Sequence, residues 1–104
     1  MKKYIGSLQE KTPELLTDEL LLSHVRHLHY LEKTDALLLC GPLKDSNQAF
    51  QLLQADSLLE AQLLFFSDPF IQKGYYRNCV IHELVEANSD NHFLISAPEL
   101  IGRL

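Results

Sequence analysis

Apolar side chains along this chain repeat first at the spacing of a strand, then of a helix, then of two strands, then of a second helix and a last strand. Few arrangements bury all of those faces at once. Tyr4-Ile5-Gly6-Ser7-Leu8 alternates and predicts a first strand, with Gly6 marking a bulge or the close approach of another element. Thr17 is a candidate N-cap, and Asp18 and Glu19 complement the dipole of a helix running to Lys33. Leu21, Val25 and Leu28 give that helix its apolar stripe, with Leu20 and Leu31 beside it. The run Ala36–Cys40, closed by Gly41-Pro42, reads as a short buried strand. Past the turn residues Lys44–Asn47, Gln48–Ala55 reads as its hairpin partner. Ser57 and Glu60 fit a capping box that opens a helix to about Phe66, ended by Asp68-Pro69. Tyr75 to Val85 alternates as a long last strand.

The order β-α-β-β-α-β is the split βαβ pattern of a ferredoxin-like α+β domain. The chain has 104 residues, enough for one core and too few for two. Helices cover one face of such a sheet, and the other needs a cover of its own. Leu8, Leu38, Phe50, Leu52, Cys79 and Ile81 are candidates for one face or the other. An apolar open face points to a second copy of the chain, so a homodimer is expected. Residues 1–87 form the domain, and 88–104 form a C-terminal tail. The tail is polar at first and then apolar at His92–Ile95 and Pro98–Ile101, which suits an extra strand or a dimer arm.

Composition removes several functions. The chain carries 14 acidic against 9 Lys and Arg side chains, a net charge of -5, which argues against a nucleic-acid partner. No apolar run approaches the roughly 20 residues of a membrane span. Met1-Lys2-Lys3-Tyr4 is not followed by the apolar stretch of a secretion signal, so the expected compartment is the cytoplasm. The two cysteines, Cys40 and Cys79, fall on the two edge strands of a ferredoxin-like sheet, too far apart to bridge. No Cys/His spacing suits zinc, and neither a metal nor a cofactor is expected. Both thiols read as small buried side chains. Cys40, beside Gly41-Pro42, is the better nucleophile if either is one.

The histidines divide by helix phase. His24 falls inside the apolar arc of the first helix, whereas His27 and His29 lie at its margins and read as surface residues. A histidine there is either a core residue satisfied by one hydrogen bond or a general acid/base, since its proton exchanges near neutrality. The second role needs a partner to fix its tautomer. Asp68 is a candidate for it, although Asp before Pro also starts turns for local reasons.

Two segments resemble the YCII-related (YciI-like) domain family. One is His24-Val25-Arg26-His27-Leu28-His29-Tyr30-Leu31 with the following Leu39-Cys40-Gly41-Pro42-Leu43; the other is Ser67-Asp68-Pro69-Phe70-Ile71-Gln72-Lys73-Gly74-Tyr75-Tyr76. Ser57 to Ala61 also matches the family's approach to its second helix. The resemblance spans about residues 1–87 and implies a ferredoxin-like subunit paired into a dimeric α+β barrel. It implies a pocket bearing a His-Asp pair, carried by position onto His24 and Asp68, with Gly41, Pro42, Ser67, Phe70 and Tyr75 shaping its wall. Most members have no assigned reaction. One relative acts on a chlorinated hydroxyquinone as a dehydrochlorinase, and fold relatives include muconolactone isomerases. The implied activity is metal-independent acid/base chemistry on a small lactone, phenolic or hydroxyquinone-like molecule. The alternative is a dimeric module that binds a small ligand without turning it over. Two positions depart from the pattern. Many members carry an Arg two or three residues before the His, where Leu21 and Leu22 stand here, so no anion-binding arginine carries over. The first helix often ends in Gly or Asn, where this chain has Asp35.

Overall fold

A computed structural model describes residues 1–104. Strand β1 (Lys2–Lys11) leads through a 3₁₀ turn (Pro13–Leu15) into helix α1 (Asp18–Lys33). The hairpin β2 (Leu37–Pro42) and β3 (Ala49–Ala55) follows, then α2 (Leu58–Phe66), the short α3 (Pro69–Gln72) and β4 (Tyr76–Leu84). The four strands form one antiparallel sheet in the order β2-β3-β1-β4, so the architecture is mixed α+β with Cys40 and Cys79 on opposite edges. Both thiols are free.

Local chemistry accounts for the boundaries. The Thr17 hydroxyl accepts the Leu20 N–H at 3.1 Å and starts α1. Asp35 ends it with φ 61°, the left-handed conformation usually given to Gly or Asn. The Ala36 N–H returns to the Leu31 carbonyl and the Asp35 N–H to Glu32, as in a Schellman turn. The departure at Asp35 therefore preserves the turn, because a short polar side chain tolerates that region. At α2, Ser57 accepts the Glu60 N–H, as the capping box predicts. The Glu60 carboxylate, however, accepts from Asp56 rather than from Ser57, so the box closes one residue early.

The register assigns the faces. Tyr4, Gly6 and Leu8 of β1 stand beside Gln51 and Leu53 of β3 and Cys79 and Ile81 of β4 on the helix-covered side. Tyr4, Leu8, Leu31, Leu53, Ala61 and Phe65 are fully buried there. Phe65 lies against the backbone at Gly6, where any Cβ would collide with its ring. This is the close approach expected at Gly6. Phe50 and Leu52 alternate onto the opposite face, in line with Ser7 and Ile5. Leu38 sits in an irregularity between Leu37 and Leu39 and is exposed.

The tail is not an extra strand. Residues Ser89–Leu94 form a kinked 3₁₀ stretch and Pro98–Ile101 a single helical turn, α4. Neither packs appreciably on the sheet or the longer helices. The radius of gyration is 16.7 Å, against about 13 Å for a compact chain of this length. No helix is long and apolar enough to cross a membrane.

Candidate active site

Asp68 owes its place to two helix ends. Helix α2 stops at Phe66, and the proline at 69 keeps Asp68 extended, with φ -62° and ψ 125°. Helix α2 ends before Asp68-Pro69, as the sequence suggests, and the proline also opens α3, with Asp68 as its N-cap. Its Oδ1 accepts the Phe70 N–H at 2.9 Å. The turn after α3 needs Gly74, at φ +74°, to bring the chain back into β4. The Tyr75 N–H closes it on the Phe70 carbonyl at 2.9 Å, and the Thr12 N–H ties it to β1 through the Tyr75 carbonyl at 2.7 Å.

This loop faces α1. His24 donates Nδ1–H to Asp68 Oδ1 at 2.7 Å, across 44 residues of sequence. Its ring stacks on Phe70 with centroids 3.7 Å apart and planes 6° from parallel. The stack and the hydrogen bond together fix the imidazole in position and in plane. Asp68 is fully buried, and the His24 side chain is 15% exposed. Nδ1 is thus the protonated nitrogen of the neutral ring, which leaves the Nε2 lone pair without a protein partner.

His24 is part of the wall of a cavity of about 380 Å³. Leu21, Val25 and Leu28 of α1 line it too, which explains why the start of the apolar stripe is exposed rather than packed in the core. Of the wall residues expected from sequence, Gly41, Pro42, Phe70 and Tyr75 are in this cavity. Ser67 is not. It belongs to a separate, more open groove between the start of α1 and α3, and its hydroxyl donates to the Leu63 carbonyl one helical turn back. As the last residue before the new N-cap, it points away from His24's side of the loop for a local reason: it closes α2. His27 is also corrected. It is not a surface residue but half-buried, and Nε2–H donates to the Leu64 carbonyl at 3.1 Å, joining α1 to α2. His29 and His82 are exposed. No group of three His, Cys, Asp or Glu side chains gathers to hold a metal ion.

Three polar residues of the cavity wall escape a reading of the sequence. Lys11 and Tyr76 pair across β1 and β4 at the cavity's end, a meeting that only the register reveals. Gln51 is 2% exposed, and its Nε2 donates to Asp68 Oδ2 at 2.9 Å. The one available signal was a polar residue in phase with Leu53 and Ala55 on a strand face that is otherwise apolar. Its Oε1 has no partner. Turning the amide over would set two oxygens together, so the orientation is determined. Asp68 thus accepts from His24, Phe70 and Gln51, a hydrogen-bonded environment for an ionised carboxylate.

Two further ionisable neighbours, Cys40 and Tyr76, are held in their neutral forms. Burial pushes the Cys40 thiol up, helped by the charges of Glu32 and Asp68. Burial likewise raises the Tyr76 phenol, with smaller contributions from Tyr75, Asp68 and Cys79. Cys40 is therefore a thiol at neutral pH and not an activated nucleophile.

The sheet order and a cavity set between the first helix and the edge hairpin define a class of small single-sheet α+β domains. Within it, the profile of the YCII-related domain matches residues 6–85, and the chain belongs to that family. Among solved structures it is similar to the 5-chloro-2-hydroxyhydroquinone dehydrochlorinase of Burkholderia phenoliruptrix AC1100 in complex with 2,5-dihydroxybenzoquinone. The TM-score is 0.61 and the identity 18%, with 85% of this chain and 97% of that one covered. At that identity the likeness is one of fold. No curated protein matches the chain.

Proposed function

We propose that this protein is a small-pocket enzyme in which His24 is the general base and acid and Asp68 orients it. The observation that carries this reading is the 2.7 Å hydrogen bond between His24 Nδ1 and a fully buried Asp68 at the wall of an apolar cavity. In this scheme a substrate's C–H or O–H proton passes to Nε2, and the imidazolium so formed is stabilised by the Asp68 carboxylate. The same nitrogen then returns the proton to the product or to a leaving group. Phe70 keeps the ring from tilting, and Leu8, Leu28, Gly41, Pro42 and Tyr75 exclude water from the face where the proton moves.

A cavity of about 380 Å³ suits a molecule of one ring. The dehydrochlorinase of similar fold is named for a chlorinated hydroxyhydroquinone, and a dihydroxybenzoquinone is bound in its structure. Phenols, hydroxyquinones and lactones, which all carry an acidic proton near an oxygen, form the substrate class proposed here. We place the protein in the cytoplasm, where its two free thiols remain reduced.

The working unit in this proposal is a homodimer of two ferredoxin-like subunits forming an α+β barrel. Ile5, Leu52 and Leu39 form a row across the uncovered face of β1, β3 and β2, and Leu39 is 57% exposed. A second copy presenting the same row would bury both.

Turnover is the test. The full chain is incubated with a panel of lactones, hydroxyquinones and halophenols. His24→Ala is expected to lower kcat about 10²–10⁴-fold, and Asp68→Asn is expected to lower it as well. Unchanged turnover in both variants overturns the assignment. Saturable binding with no product from any member of the panel leaves the ligand-binding reading in its place.

A further inference from the structure

We infer that Gln51 is a positioning residue of this site: it holds the second oxygen of Asp68 and so maintains the His24 tautomer that leaves Nε2 free. The inference rests on the proposed role of His24 and adds a third member behind the pair.

Asp68 has two oxygens, and the cavity-side partners use only one. Oδ1 accepts from His24 Nδ1 and from the Phe70 N–H. Oδ2 has one protein donor, the Gln51 Nε2 at 2.9 Å. Asp68 is fully buried, so solvent does not substitute for that donor. Without it, rotation about the carboxylate's own axis would exchange the oxygens or draw Oδ1 away from His24. The donor also stands on the most constrained part of the fold. Gln51 pairs with Gly6 on one side and Cys40 on the other, in a strand hydrogen-bonded along both edges.

The choice of side chain supports the role. Leu53 and Ala55, in phase with Gln51, are apolar and fully buried, and packing alone would place an apolar residue at 51 as well. Instead the site tolerates a buried amide oxygen with no partner in order to present an N–H to the carboxylate. A neutral donor also has an advantage over a cation here. It orients Asp68 without cancelling the negative charge that stabilises the imidazolium. The other titratable groups on the cavity wall are Lys11 of β1, Cys40 of β2, and Tyr75 and Tyr76 at β4, and none is hydrogen-bonded to Asp68.

The tautomer can be read without a substrate, from the nitrogen shifts of His24 in the full-length protein labelled with ¹⁵N-histidine. The wild type is expected to show one neutral tautomer, protonated at Nδ1. Gln51→Met keeps the length and removes both polar atoms. It is expected to lose the single tautomer, with both ring nitrogens moving to intermediate shifts while the rest of the amide spectrum remains folded. Gln51→Lys restores a donor to Oδ2 and is expected to retain the Nδ1–H tautomer. A folded Gln51→Met protein with unshifted His24 nitrogens overturns the inference and leaves the His24–Asp68 reading intact. Mixed tautomers in Gln51→Lys also overturn it, and that arm decides the matter should Gln51→Met not fold. A wild-type ring protonated at Nε2 overturns the pair and the positioning role together.

Discussion

Asp68 starts α3 and faces His24 with the same oxygen, so substitutions there separate capping from charge. Asp68→Ala strands the donors of Gln51, Phe70 and His24 in a buried place. The expected loss is on the order of 3 kcal/mol, a missing cap plus unsatisfied buried donors, measured by urea denaturation. Asp68→Asn is expected to cost less than about 1 kcal/mol, because Asn still caps and Gln51 can turn its amide to receive the new NH₂. A large loss in Asn equal to that in Ala would show that charge, not hydrogen bonding, holds this loop. The thiols give a second residue-scale expectation. Burial lifts Cys79 to about 11 from an ordinary value of 9.0, with the Asp68 charge adding and a backbone hydrogen bond opposing. A group whose folded pKa is raised favours the fold while neutral. Its contribution is therefore complete below about pH 9 and is lost as pH rises towards 11. Alkylation by iodoacetamide should be slow for both cysteines in the folded protein at pH 7.5 and fast in urea. Rapid labelling of Cys40 in the fold would contradict the assignment of a neutral thiol. At this scale the sequence carries half of the site. Helix phase singles out His24, and Asp-Pro singles out Asp68, but neither encodes their distance, which depends on α3. Gln51 is invisible because its meaning lies in a partner 17 residues away, and Ser67 misleads because adjacency to Asp68 does not give it the same direction.

At the scale of elements, the seat of α2 on the sheet decides where the Asp68 loop begins. That seat is a ring, Phe65, against a missing side chain, Gly6. Gly6→Ala is expected to destabilise the fold by about 1–3 kcal/mol through overpacking, seen as a lower urea midpoint. Phe65→Leu alone leaves a gap and also destabilises. Combined, the two should cost less than the sum of their separate effects, since the new methyl meets a smaller neighbour. Additive losses would mean that Gly6 matters for its backbone and not for the ring. The elements themselves were readable because periodicity and capping agree along the body of the chain. β1 gained polar residues at both ends, such as Lys2 and Lys3 before Tyr4, where alternation carries no signal but the ladder to β3 continues, and β2 runs on through Gly41-Pro42, which the sequence reads as its end. In the tail, apolar residues suggest a strand, yet positive φ at His92, Phe93 and Leu94 breaks the extended backbone that a strand needs.

For the molecule as a whole, the apolar residues that the fold leaves unburied lie in several places. Leu22 of α1 and Leu63 of α2 are exposed on the helices, Leu39 is exposed on the sheet face beside the half-buried Ile5 and Leu52, and Phe93 in the tail is 62% exposed. Sequence alternation allows the sheet an apolar second side. It does not say which residues lie on it, because a shift of one residue exchanges the two faces and only the register with β1 settles the choice. Once it is settled, Leu52 stands at the centre of the row, on an interior strand, between Leu39 and Ile5. A lysine there would keep the strand and leave the helix-side core untouched, since Gln51 and Leu53 point the other way. Leu52→Lys is therefore expected to keep its circular dichroism while sedimenting as a monomer, whereas the wild type at micromolar concentration is expected to sediment as a dimer. Removing residues 88–104 tests the tail separately. As an arm reaching the second copy, its removal should weaken the dimer without much lowering the temperature at which the isolated sheet domain unfolds, because the tail packs little on that domain. A wild type that sediments as a monomer overturns the paired-sheet arrangement, and a dimer indifferent to Leu52→Lys moves the contact elsewhere. A loss of secondary structure on truncation would instead make the tail part of the domain's own fold.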